Sequence, residues 1–144
     1  VLVNFCETVD IPPMVNQVEL HPFFAQEKAV QINKDYHVQP EAWAPLGGGR
    51  YDAFHNAVLK EIAEKYHKSI GQVMLRWNIQ RGVVVIPKST HIERIKENID
   101  IFDFALTEED MQKITALDQG YVGTAVKHFD IDFVKMVLDR KIHD

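Results

Sequence analysis

Cysteine is nearly absent from this chain: Cys6 is the only one among 144 residues. A single thiol excludes an intrachain disulfide framework and any cysteine-based zinc cluster. It fits a reducing compartment, so the expected location is cytoplasmic. Cys6 itself reads as a small apolar residue on a helix. Long apolar runs are missing too. None approaches the ~18 residues that span a bilayer, and no membrane partner is expected. The short apolar stretch at the N-terminus meets Glu7 and Asp10 at once, unlike a signal peptide. Basic residues fall short of acidic ones, 16 against 21, and the formal charge of −5 argues against nonspecific binding of nucleic acid. The seven histidines show no metal-ligand spacing such as H-x-x-x-H with a carboxylate, so no metal is expected. The chain starts without a methionine, which reads as a fragment.

What is present is 46% apolar residues, enough for one domain with a core. Residues 1–8 read as the tail of a helix, stopped by Pro12 and Pro13. Residues 14–20, MVNQVEL, alternate apolar and polar side chains as a strand does, and His21-Pro22 ends it. Ala29, Val30 and Ile32 predict a helix over 26–36, and a short strand over 38–43 contains Pro40. Residues 46–50, LGGGR, form a loop. Val58, Leu59, Ile62, Ala63 and Tyr66 make one stripe of a helix over 56–67. Ser69 with Gln72 has the form of a capping box opening a helix to Arg81, with Gly82 as its stop. Residues 83–86, VVVI, are apolar at every position, as expected of a strand buried on both faces of a parallel sheet. Thr90 with Glu93 repeats the box and opens a helix to about 100, and Thr107 with Asp110 is a weaker version opening 108–117. One more helix is expected over 132–141. Strands alternating with helices argue for a parallel α/β sheet. Three strands alone leave both edges open, so the chain reads as part of something larger that self-associates if truly truncated.

In α/β folds the ligand lies at the carboxyl ends of the strands. The first strand presents Asn16, Gln17, Glu19 and His21, the second ends at Trp43 before the glycine loop, and the third ends at Lys88, Ser89 and Thr90. Glycines 47–49 permit close backbone approach, although no Gly-Lys-Ser/Thr follows to make a P-loop. Lys88 supplies charge, Ser89 and the N–H groups at the helix start supply donors, and Arg94 adds a fork for a second phosphate. Each piece has a structural reading as well. The glycines give a flexible loop, Lys88 a solvated strand end, Trp43 a core aromatic, and His21 a packed residue beside proline. Asp52 and Glu41 are available as a catalytic pair, but no spacing demands it. Pattern alone reaches part of a parallel α/β protein suited to a phosphorylated ligand.

Three ordered motifs carry more. VNQVELHP, EAWAPLG and IPKSTHIERIKENIDIFDFALTEEDM together resemble the aldo-keto reductase family, nearest its prokaryotic 2,5-diketogluconate reductase and prostaglandin F synthase-like members. The resemblance covers about residues 1–118. It implies a (β/α)8 TIM barrel, of which this chain holds strands six to eight (1–118), followed by a C-terminal tail (119–144). It also implies NADPH as cofactor and reduction of a small-molecule carbonyl substrate, an aldehyde or ketone, to an alcohol. Carried over, Gln17 would bond the nicotinamide carboxamide, Trp43 would stack on the nicotinamide ring, and Leu46 and Gly47 would line the pyrophosphate loop. Lys88, Ser89 and Arg94 would hold the phosphate on the adenosine ribose, and Glu97 and Asn98 would bond the adenine. His91 departs from the threonine or arginine common in the family. The Asp, Tyr, Lys and His tetrad of the family has no counterpart here, and Val3-Asn4-Phe5 lies too near the VNQ strand to be its Ser-Asn-Phe motif. The chain alone is therefore expected to be inactive. Two alternatives stand beside the enzyme: a noncatalytic NADPH-binding module, and a self-associating half-barrel that binds nothing.

Overall fold

Alternation along VNQVE sets the first strand, and the computed structural model, which describes residues 1–49, 51–120 and Lys135, shows what that alternation faces. A short helix α1 (Leu2–Thr8) precedes strand β1 (Val15–Glu19), helix α2 (Glu27–Asp35) and strand β2 (Gln39–Trp43). Helices α3 (Ala57–Tyr66) and α4 (Ile70–Gln80) then lead to a short strand β3 (Val84–Val85), followed by α5 (Ile92–Ile99) and α6 (Glu108–Thr115). The three strands form one parallel sheet in the order β1-β2-β3. The helix expected over 132–141 lies outside the described residues. Among the described residues no helix is long and apolar enough to cross a membrane.

Local chemistry fixes most element ends. Asn56 caps α3 by accepting the N–H groups of Val58 and Leu59, and His67 closes it in the left-handed conformation. The Ser69–Gln72 capping box forms as expected, each residue satisfying the other's orphan N–H at the start of α4. Thr107 caps α6 through Asp110 N–H, but the Asp110 carboxylate does not return to the Thr107 backbone. Aspartate is one methylene shorter than glutamate, and the Thr107 N–H donates instead to the Tyr66 hydroxyl.

Among the described residues, helices cover one face of the sheet only. Leu20, Ala42 and Val83 join the core, with Val18 and Val85 packed against it, while α2 lies against β2 and α4 against β3. The opposite face carries Val15, Gln17, Glu41 and Val84 in their alternate positions. This corrects the expectation for the VVVI run. Val84 is 40% exposed and Ile86 45%, because no layer of described residues covers that side. The core itself lies between the sheet and α3, α4 and α6. Trp77 is fully buried at its centre, its indole N–H donating to Thr115 Oγ1 at 3.1 Å and its ring lying under the Arg81 guanidinium.

Asp110 pins α6 to α3. Burial pushes its carboxyl up, but bonds from Lys65 Nζ, the Tyr66 hydroxyl and Thr107 Oγ1 outweigh this and hold its pKa down at about 2. A carboxyl held below its ordinary value of about 4 contributes stability that is present above that value. The contribution is lost as pH falls from there through about 2. Asp110→Asn should lower stability at pH 7 by about 1–3 kcal/mol, the cost of breaking charged hydrogen bonds at a buried group. It should also flatten the acid side of the stability profile. Thermal melts of both proteins at neutral pH and at pH 4 to 2 check this; parallel acid limbs would contradict it.

Candidate functional site

The VVVI run ends in Pro87, Lys88 and Ser89, and the structure turns there into α5. The Thr90–Glu93 box does not form. His91 is the N-cap, with no side chain bonding the first turn, and Ser89 Oγ accepts the His91 N–H at 3.1 Å. This Ser89–His91 turn carries the chain past Thr90, and the helix starts one residue later than the box predicts. The first-turn N–H groups of α5 are left uncapped by side chains.

α5 buries none of its own residues and is held at its far end. Gln72, besides its part in the capping box, donates to the Asp100 carbonyl at 2.7 Å. Lys68 bridges Asp100 and Asp103, and Arg76 donates to the carbonyl of the buried Ile101. The α4 N-terminus therefore fixes where α5 lies.

Between them opens a cleft of about 840 Å³. Leu46, Gly48, Gly49 and Phe54 line it from the β2–α3 connection, Ser69, Ile70 and Gly71 from the start of α4. Lys88, Ser89, Thr90, His91, Arg94, Glu97 and Asn98 line it from the β3–α5 segment. Glycines 47, 48 and 49 all have positive φ, which lets the backbone turn tightly beside the cleft. Among the described residues neither Lys88 nor Arg94 has an ion-pair partner, and neither does Glu97. Two cations and one carboxylate give the lining a formal charge of +1, in a chain whose own is −5. A second cleft, beside Arg81, differs. Its arginine is committed to Glu27 and to the Trp77 ring, and Glu27 and Glu108 both line it.

Six of the sequence-derived site residues thus share one cleft: Leu46, Lys88, Ser89, Arg94, Glu97 and Asn98. Three do not line it. Gly47 is buried in the adjoining turn, and Gln17 and Trp43 belong to the open face of the sheet. The Asp52 and Glu41 carboxylates do not pair, for Asp52 contacts His55 and Glu41 takes a bond from Gln17. His21 is packed, fully buried with Nε2 3.1 Å from Glu19 and its ring 4.6 Å from that of Tyr51. Sequence reasoning missed Phe54 and the part played by Ser69, Ile70 and Gly71 at the start of α4. Phe54 is 55% exposed, and no periodicity around it marks it as a site residue.

This donor set suits a phosphorylated nucleotide: an ammonium, a guanidinium fork, two hydroxyls and an uncapped helix start for phosphate, with Glu97 and Asn98 a turn away for a base. A profile of the aldo/keto reductase family matches residues 4–119. The chain belongs to that family. It is 50% identical over 118 residues to glyoxal reductase of Bacillus subtilis, covering 82% of this chain and 42% of the relative. Methylglyoxal reductase DkgA of Escherichia coli is 38% identical over 119 residues, covering 83% and 43%. Among solved structures, MGS-M4, an aldo-keto reductase from a Medee basin deep-sea metagenome library, superposes with a TM-score of 0.80 at 43% identity. That match covers 83% of this chain and 44% of the other. A Gox0644 mutant in complex with NADPH gives 0.78 at 38% identity, covering 85% and 45%. The chain spans less than half the length of these relatives.

Replacing Gln72 with alanine should remove both the capping-box return and the bond to Asp100. The expected loss is about 1–3 kcal/mol for these two roles, read as a lower denaturation midpoint. A loss within experimental scatter would show that α5 is held by other contacts.

Proposed function

We propose that this chain is the C-terminal part of an aldo-keto reductase barrel, with 1–118 as barrel segment and 119–144 as tail. Its cleft holds the adenosine-phosphate end of NADPH in an enzyme that reduces aldehydes or ketones. The observation that carries the reading is the net-positive cleft at the end of β3, with two cations that have no ion-pair partner among the described residues at an uncapped helix start in an acidic chain. Lys88 acts as a point charge for the ribose phosphate and Arg94 as its fork, with Ser89 donating a hydroxyl. Glu97 and Asn98 meet the adenine, Leu46 and Gly47 flank the pyrophosphate, and Trp43 and Gln17 meet the nicotinamide. When bound, NADPH supplies a hydride to the carbonyl carbon. This chain's own residues bind and orient the cofactor. The names of the relatives, glyoxal reductase and methylglyoxal reductase, support a small carbonyl substrate. The compartment proposed is the cytosol.

Lys88→Ala should weaken NADPH binding by about tenfold or more, the worth of one charge-assisted phosphate contact. NADH binding should change by less than about twofold, since it lacks that phosphate. Equal losses for both cofactors in a calorimetric titration would sink the phosphate assignment. Purified alone with an aldehyde, the chain should consume no NADPH; steady loss of nicotinamide absorbance would contradict the reading.

A further inference from the structure

The open face of the sheet carries a side-chain pair outside the cleft. Gln17 and Glu41 are register partners in the parallel β1–β2 ladder, and Gln17 Nε2 donates to Glu41 Oε1 at 2.5 Å. On the other side of Glu41 its ladder partner is Val84, which is apolar. Trp43 stands two residues further on the same face, toward the carboxyl end of β2.

We infer that Glu41 is a positioning residue for Gln17, fixing which atom of its amide is offered to a ligand. This rests on the proposed function, in which Gln17 meets the nicotinamide end of the cofactor. A carboxylate only accepts hydrogen bonds, whereas a glutamine amide both donates and accepts. Glu41 therefore turns the NH2 group of Gln17 toward itself and leaves Oε1 for what approaches along the open face. The group that Oε1 recognises is an N–H donor, and a primary carboxamide is one. Without Glu41 the exposed amide rotates between two orientations, of which one is productive.

The test is calorimetric titration of the 144-residue chain with NADPH and with 2′-phospho-ADP-ribose, which lacks the nicotinamide. Glu41→Leu should weaken NADPH about three- to tenfold, the range of one lost neutral hydrogen bond, and leave 2′-phospho-ADP-ribose unchanged. Glu41→Gln, whose amide donates as well as accepts, no longer dictates which atom of Gln17 faces it and should weaken NADPH by a similar amount. In a Gln17→Ala background, Glu41→Leu should cost nothing further. Equal weakening of both ligands, additivity with Gln17→Ala, or no effect at all would each overturn the assignment. Failure of the unsubstituted chain to bind either ligand would overturn the cofactor reading and this inference with it. Binding of 2′-phospho-ADP-ribose as tightly as NADPH would overturn this inference alone.

Discussion

The β1–β2 ladder governs how the rest of this molecule is arranged. Its five parallel pairs, from Val15↔Gln39 to Glu19↔Trp43, assign every second side chain to the helix-covered face and the rest to the open one. A slip of one residue would turn Ala42 and Leu20 out of the core and bring Glu41 and Gln17 in. Burying an unpaired carboxylate costs far more than exposing two apolar groups, so the register is strongly held. The same ladder sets the polar row of Gln17 and Glu41 and the height of Trp43 above it.

One-sided cover is also what makes the chain look unfinished. β1 and β3 are both edge strands, and α5 presents Ile92, Ile95 and Ile99 to the surface. Exposed apolar positions at helical spacing beside an open edge ask for a covering layer. The chain covers 42% and 43% of the lengths of glyoxal reductase and methylglyoxal reductase DkgA. The cleft, by contrast, is made from elements fully contained here: the glycine turn, the α4 start and the β3–α5 segment. Gln72 and Lys68 lock the last of these to the start of α4, so the cleft is shaped within the described residues.

Some of this could be read in the sequence. The VNQVE alternation, the Ser69–Gln72 box and the stripe of Val58, Leu59 and Ile62 are local signals, and each element they predicted is present. The order of IPKST and the ERIKEN segment placed cations at a helix start, where the structure also has them. What escaped were consequences of distance. Nothing local in VVVI distinguishes a strand covered on both faces from one covered on a single face. The Thr90–Glu93 pattern was as good a box as Ser69–Gln72, yet the Ser89–His91 turn moved the helix start past Thr90. The Gln17–Glu41 bond joins residues separated by a whole helix and needed the register. Phe54 reached the cleft through the fold of a turn that no periodicity encodes.

Recognition of a ribose phosphate by the β3–α5 segment can be read by mapping amide chemical shifts of the chain as 2′-phospho-AMP and AMP are added in turn. Shifts at Lys88, Ser89, His91 and Arg94 should depend on the 2′-phosphate, with little change along β1. Identical shifts with both nucleotides, or shifts gathered around Arg81 and Glu27, would contradict it.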